Sequence, residues 1–263
     1  MSKGEEIIHF GKESGAPADR PGMALVAGDA GFRPWGAWTS LFWVAAAEVI
    51  RALVDLGLDR TPLPRVLVIT LSWVTPLIVL LVAVRIARQS FATYCNLRRP
   101  RAAAVELAIG TFLVAEVVLR GIPYLATGSL RNNLPVEDYQ AMIAPGMWPW
   151  WYVLKYWPAA IFAPLVEETA YRGFLWRGLA ASRLGHGGSL LVSALFFAAV
   201  HYHYYIQGGQ VVLGALISPF IFGLIFGFVR WRSGSTIAAI ITHALVNIAL
   251  TVLTVLAVRH GWP

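Results

Sequence analysis

Long apolar runs separated by short basic segments dominate the hydrophobic pattern of this chain. A helix needs about 20 apolar residues to span a membrane, and seven runs meet that length. They cover residues 35–58, 66–87, 102–126, 148–168, 188–205, 211–231 and 235–258. The pattern predicts an all-α fold, a polytopic membrane helical bundle of about seven transmembrane helices, within a range of six to eight.

The composition agrees with a membrane protein. The chain is 57% hydrophobic and 13% charged, whereas soluble domains have roughly a quarter of their residues charged. The net charge of +7 does not indicate nucleic acid as a partner, because the basic residues lie in short loops between apolar runs. Cys95 is the single cysteine, which excludes an intrachain disulfide and a multi-cysteine metal site.

The runs divide the chain into four parts. Residues 1–34 form a polar N-terminal tail without the apolar segment of a signal peptide. Residues 35–146 contain three transmembrane helices with their loops. Residues 147–258 form a core of four transmembrane helices, and residues 259–263 form a short C-terminal tail.

The basic residues predict the orientation in the membrane. Cytoplasmic loops carry an excess of Lys and Arg, and the loops after the second, fourth and sixth runs are the Arg-rich ones. These loops and the N-terminal tail fall on one side, so we expect a cytoplasmic N-terminus. The localisation expected is a multi-pass protein of the bacterial plasma membrane, with the active site toward the cytoplasm.

Ionisable side chains are costly at membrane depth and are usually functional. Three runs carry them in patterns: Glu167 and Glu168 with Arg172, Phe197 with His201, and His243 with Asn247. Residues four apart share one helix face. Each group alone has a structural explanation, such as an interfacial helix end or an Asn that packs helices together, but their joint occurrence favours a site.

These residue types suit hydrolysis of an amide bond by an activated water. A carboxylate and a His can bind and deprotonate water, while a second His and an Asn amide can donate hydrogen bonds to an oxyanion. The chain has no convincing GxSxG or HExxH motif, which argues against a serine acyl-enzyme and a zincin.

The same residues resemble the CPBP family of CaaX proteases and bacteriocin-processing or self-immunity proteins. EETAYR matches its EExxxR motif, FAAVH its FxxxH motif and HALVN its HxxxN motif, in the family's order. The resemblance covers residues 148–258 and implies an intramembrane endopeptidase with an all-helical core.

The resemblance also implies roles. Glu167 is the general base with His201 as its partner, and His243 and Asn247 form the oxyanion hole. Glu168, Arg172 and Phe197 support them. No cofactor is expected; the alternative is one divalent metal such as zinc, bound by Glu167, His201 and His243 with a water.

The implied partners are membrane lipid and a membrane-anchored, prenylated or leader-bearing peptide, and no nucleic acid. Two other classes stay open: a non-enzymatic immunity or scaffold protein of this fold, and an ion-coupled transporter. In a transporter, the remaining ionisable residues of the first and third runs would belong to the ion pathway. The simpler interpretation is that they form structural pairs or line a substrate cavity. These residues are Glu48, Arg51, Asp55, Glu106, Glu116 and Arg120.

Two further motifs concern helix geometry. Pro158 and Pro164 are expected to kink the fourth run just before the glutamates, and Pro219 to bend the sixth. Gly223 and Gly227 form a GxxxG motif, which predicts a close approach of another helix.

Overall fold

The computed structural model describes residues 35–63, 65–129, 134, 157–201, 206–207, 210–211 and 216–261. Its α-helices are α1 (Ala37–Leu58), α2 (Arg65–Ile86), α3 (Phe91–Tyr94), α4 (Ala102–Glu116), α5 (Ile122–Thr127), α6 (Ala163–Glu168), α7 (Trp176–Ala180), α8 (Gly185–Val200), α9 (Ile217–Ser233) and α10 (Thr236–His260). Three π-helical segments lie between them: π1 (Val117–Gly121), π2 (Pro158–Phe162) and π3 (Thr169–Leu175).

The described part of the chain is helical, as the sequence predicts, with one small exception. Strands β1 (Ile206–Gln207) and β2 (Gln210–Val211) form an antiparallel pair in which Ile206 faces Val211. Strand β2 includes Val211, the first residue of the predicted sixth span, and the helix of that span begins at Ile217.

Three described helices are long and apolar enough to cross a membrane: Leu67–Ile86, Ala102–Thr127 and Thr236–His260. Helix α8 is apolar but shorter. Helix α9 has 17 residues, and α1 includes Glu48, Arg51 and Asp55 along its 22 residues. Much of the predicted fourth span, the predicted N-terminal tail and residues 262–263 lie outside the described residues, so the seven-span count and the orientation stay predictions. Residues 259–260 of the predicted C-terminal tail belong to α10.

The core joins the N-terminal helices to the segment that follows the glutamates. Helices α1 and α2 pack along each other and against π3. The largest buried cluster takes residues from α1, α2, π3, α8, α9 and α10, among them Val44, Leu80, Phe174, Phe197, Phe226 and Val246. The segment that follows the paired glutamates therefore packs against both the N-terminal helices α1 and α2 and the later helices of the core.

The GxxxG motif of α9 packs against α8. A Cβ atom added at Gly223 would lie 2.9 Å from the Ala194 Cα, and one added at Gly227 would lie 2.6 Å from the Leu190 Cδ1. The neighbour of Gly223 is backbone, which leaves no room for a side chain, whereas the neighbour of Gly227 is the end of a Leu side chain. The predicted role of this motif in helix packing is therefore confirmed at Gly223.

Hydrogen bonds connect several helix ends at one end of the bundle. The Trp35 backbone N–H donates to the Tyr94 hydroxyl at 2.9 Å, and the Thr236 hydroxyl donates to the Cys95 carbonyl at 2.7 Å. The Asn96 amide donates to the Gly234 carbonyl. This end carries exposed arginines, and we call it the arginine end: Arg85, Arg88, Arg98, Arg99, Arg101, Arg183 and Arg232.

Candidate active site

The paired glutamates stand at a change of helix type. Glu167 and Glu168 are the last residues of α6, and the seven-residue π-helix π3 follows directly. Single π-helical turns inside helices are frequently found at functional sites. Every residue of π3 is buried, so this segment directs the side chain of Arg172 into the protein.

Glu168 and Arg172 form a fully buried ion pair. Nη1 of Arg172 donates to Oε1 of Glu168 at 3.0 Å, and both side chains are 0% exposed. Nη2 of Arg172 donates to the Gly223 carbonyl on α9 at 2.7 Å. A buried charge requires a partner and further hydrogen bonds, and this geometry supplies both.

His243 binds the same carboxylate oxygen. Its Nδ1 lies 2.9 Å from Oε1 of Glu168, and because the ionised carboxylate only accepts, Nδ1 carries a proton. The imidazole is stacked on Phe226, with ring centroids 4.2 Å apart. Glu168 therefore fixes both the orientation and the tautomer of His243, leaving Nε2 as the second polar atom of the ring.

His201 is fixed by the backbone at the end of α8. It follows Val200, the last helical residue, and its Nδ1 lies 2.6 Å from the Phe197 carbonyl. A carbonyl oxygen only accepts, so Nδ1 is the donor. In the neutral ring Nε2 then holds the lone pair, the form in which an imidazole accepts a proton from water.

Phe197 is the shared contact of the site. Its ring centroid is 4.4 Å from that of His201 and 5.7 Å from that of His243. The Arg172 guanidinium carbon lies 4.8 Å from the same centroid. This buried ring contacts one residue of each of the three motifs, Arg172, His201 and His243.

Glu167 is buried, with 8% of its surface exposed. Its Oε2 makes no hydrogen bond to any residue that the structure describes. Buried polar atoms are almost always paired. An oxygen in this state is a place for a water, a proton or a substrate group. Oε2 of the adjacent Glu168 also lacks a partner among the described residues, but Oε1 of Glu168 accepts two hydrogen bonds.

Asn247 contacts the kinked segment before the glutamates. Its Nδ2 donates to the Ala159 carbonyl in π2 at 2.9 Å. That carbonyl lacks its usual helical donors, because the Ala163 N–H bonds Pro158 and Pro164 has no N–H. At the prolines the chain therefore forms a π-helical segment. One of the two N–H groups of the Asn247 amide bonds the Ala159 carbonyl, which lacks a helical donor.

Sequence reasoning missed two aromatic residues of the site, Phe226 and Tyr171. The Tyr171 hydroxyl donates to Oε1 of Glu48 on α1 at 2.7 Å. The position of Tyr171 directly before Arg172 in EETAYR was the available signal, but its partner lies 123 residues away and no periodicity indicates it.

Four of the other ionisable residues of the first and third runs form two local ion pairs. Nε of Arg120 lies 2.5 Å from Oε2 of Glu116, as the spacing predicts. Nε of Arg51 lies 2.7 Å from Oε2 of Glu48. The Ser72 hydroxyl donates to Asp55 at 3.0 Å. These contacts agree with structural pairs.

The alternative zinc site would need Glu167, His201 and His243 grouped around one metal ion. Among the described residues, which include Glu167, His201 and His243, no three His, Cys, Asp or Glu side chains are grouped to hold a metal ion. The alternative zinc site at Glu167, His201 and His243 stays a prediction.

Comparison with known proteins agrees with the motifs. Residues 149–249 match the family model described as Rce1-like, type II CAAX prenyl endopeptidase Rce1-like. The matched range contains all three motifs, so the resemblance to the CPBP family is confirmed, and it implies an intramembrane endopeptidase of the CAAX-protease type. No curated protein and no solved structure matches the chain.

Proposed function

From the Rce1-like domain at residues 149–249, we propose that this protein is a glutamic intramembrane endopeptidase that hydrolyses a peptide bond with water activated by Glu167 and His201. One observation carries the proposal. Oε1 of Glu168 is held by both Arg172 and His243, whereas the adjacent Glu167 is buried with an Oε2 that has no partner among the described residues. Oε2 of Glu168 has no described partner either, so the ion pairs of Oε1 are what distinguish the two glutamates. The carboxylate outside those ion pairs is the base, and the one inside them is a structural partner.

Water activation is divided between Glu167 and His201. Glu167 accepts a proton from the water, and Nε2 of His201 accepts the hydrogen bond of the second O–H, which orients the oxygen toward the substrate carbonyl carbon. The new C–O bond gives a tetrahedral oxyanion. Glu167 then transfers its proton to the leaving nitrogen as the C–N bond breaks.

The oxyanion is stabilised by His243 and Asn247. Nδ1 of His243 is held by Glu168, so Nε2 donates a hydrogen bond when the ring is protonated, and the carboxylate stabilises that imidazolium. The Asn247 amide has a second N–H beyond the one that bonds Ala159. Preorganised donors of this kind are typically worth a factor of about 10²–10³ each in rate.

Glu168, Arg172 and Phe197 hold these groups in place. The ion pair of Glu168 and Arg172 neutralises two charges inside the protein, and the Phe197 ring contacts both histidines. They do not touch the reacting atoms in this mechanism. No cofactor takes part in it.

The substrate is proposed to be a peptide that reaches the site from the membrane. It is membrane-anchored, prenylated or leader-bearing, and membrane lipid is the surrounding partner. The transporter alternative loses support from the neutralised pairs Glu116–Arg120 and Glu48–Arg51, because an ion pathway needs ionisable groups that exchange partners.

The proposed topology has seven spans with a cytoplasmic N-terminus, in a bacterial plasma membrane. The arginine end supports this orientation, because Lys and Arg accumulate on the cytoplasmic side. Arg172 accepts a hydrogen bond from Nε of Arg230 through its backbone carbonyl, and Thr236 begins α10 at the same end. His243 follows Thr236 by seven residues, or about 10 Å along the helix, and this proximity supports a site that is reached from this side.

A comparison of peptide termini tests the function. One strain expresses the wild-type protein and the other Glu167→Gln, which keeps the shape of the side chain and removes the base. Terminal peptides that occur only with the wild type support proteolysis and identify the substrate. Identical termini, with both proteins folded and equally abundant, would favour a non-enzymatic immunity or scaffold protein.

A further inference from the structure

Helix α1 contributes a third carboxylate to the neighbourhood of the site. Glu48 lies on α1, outside the segment that matches the Rce1-like family. Its Oε1 accepts a hydrogen bond from the Tyr171 hydroxyl at 2.7 Å. Tyr171 stands between Glu168 and Arg172 in π3, so this bond ties the N-terminal helix to the motif of the paired glutamates.

Glu48 is itself held on its other oxygen. Nε of Arg51 donates to Oε2 at 2.7 Å, and the Glu48 side chain is 16% exposed. The Arg51 guanidinium lies 5.7 Å from the ring centroid of Trp73 on α2. Arg51 already neutralises the charge of Glu48. The hydrogen bond from Tyr171 is therefore not needed for charge balance, and its effect is to hold the Tyr171 hydroxyl in place.

The Tyr171 ring transmits that constraint to the histidines. Tyr171 is 1% exposed, and its ring centroid lies 5.6 Å from that of Phe196 and 5.9 Å from that of Phe197, the latter edge to face. Phe197 in turn contacts the rings of His201 and His243. A continuous series of contacts therefore runs from α1 to both histidines.

We infer that Glu48 is a positioning residue for the endopeptidase site: it fixes the Tyr171 phenol, and the Tyr171 ring holds Phe197 in place between the two histidines. The inference rests on the proposed function and adds the N-terminal helix to the catalytic core. Without the hydrogen bond, packing alone holds the Tyr171 ring, and Phe197 loses part of its support between the histidines.

Matched variants test the inference. The purified protein is reconstituted in lipid vesicles with a peptide that carries the cleavage sequence found by the terminal-peptide comparison. Tyr171→Phe removes only the hydroxyl, Glu48→Gln keeps an acceptor oxygen, and Glu48→Leu removes it. Ser72→Ala is the control, because it removes a hydroxyl bond to Asp55, another α1 carboxylate, away from the site.

The inference predicts a specific pattern of kcat and KM. Tyr171→Phe and Glu48→Leu lower kcat about tenfold with little change in KM, the scale of one hydrogen bond to a charged acceptor. The double variant is no slower than either single variant. Glu48→Gln keeps most of the wild-type kcat, and Ser72→Ala keeps all of it.

Two results would overturn the inference while leaving the function intact. One is a Tyr171→Phe variant with a wild-type kcat and a lower melting temperature, which would show that the bond only anchors α1. The other is a Glu48→Gln variant as slow as Glu48→Leu beside a normal Tyr171→Phe, which would assign the effect to charge. A fully active Glu167→Gln variant in the same assay would instead remove the proposed function.

Discussion

Nδ1 of His243 lies 2.9 Å from Oε1 of Glu168, across 75 residues of sequence. The same oxygen accepts Nη1 of Arg172 at 3.0 Å. The second glutamate of the pair thus joins the first motif to the third. This contact distinguishes the adjacent glutamates, because Glu168 is held by Arg172 and His243 through Oε1. The Oε2 atoms of both glutamates have no partner among the described residues.

Replacing Asn247 with Ala is expected to lower kcat about a hundredfold, because one oxyanion donor is lost. Thr251→Val is the matched control, since the Thr251 hydroxyl donates only to the Asn247 carbonyl on the same helix at 2.8 Å. Rates are measured on reconstituted protein. A normal kcat with reduced thermal stability would mean that Asn247 only satisfies the Ala159 carbonyl.

Replacing Gly223 with Ala is expected to destabilise the protein by about 1–3 kcal/mol through overpacking. The added Cβ would meet the Ala194 backbone at 2.9 Å. Gly110→Ala in α4 is the control, because nothing lies within 4 Å of a Cβ placed there. Melting temperatures in detergent distinguish them, and equal values would contradict the close packing of α8 and α9.

Cys95 is expected to resist thiol reagents in the folded protein. The side chain is 0% exposed, and burial raises the pKa of its thiol, so little reactive thiolate forms at pH 8. A maleimide dye that fluoresces on reaction should label it only as the protein unfolds, with Cys95→Ala as the blank. Rapid labelling at 20 °C, well below the unfolding transition, would contradict the packing around α3.

The helices and the motif residues could be predicted from the sequence because both depend on the spacing of residues that are close in the chain. Apolar runs located α1, α2, α4 and α10, and a four-residue spacing predicted the pair of Glu116 and Arg120. Close helix packing at Gly223 followed from the GxxxG motif. These features need only neighbours in the same helix or the absence of a side chain.

The contacts between distant segments were beyond prediction from the sequence. The π-helix π3 rotates the residues after Glu168 away from ordinary α-helical positions, and no hydrophobic period signals that change. The bonds from Tyr171 to Glu48 and from Asn247 to Ala159 depend on how helices pack. Periodicity predicts which face is apolar, and not which residue of another helix it meets.

The mechanism is expected to be independent of metal. The purified protein should keep its cleavage rate after dialysis against a chelator, because Glu167 and His201 activate the water without a Lewis acid. The check is metal analysis by mass spectrometry alongside the activity assay. One zinc per chain, lost together with activity and restored together with it, would contradict the glutamate mechanism.

The division of roles between the two glutamates is the central claim, and the measurement that tests it most directly compares Glu167→Gln with Glu168→Gln. Both variants are reconstituted, and cleavage rate and melting temperature are measured on the same samples. Glu167→Gln should abolish cleavage with a melting temperature near that of the wild type. Glu168→Gln should lower the melting temperature strongly, since disrupting a buried ion pair costs roughly 3–5 kcal/mol. A stable, inactive Glu168→Gln variant beside an active Glu167→Gln variant would contradict the account and reverse the roles.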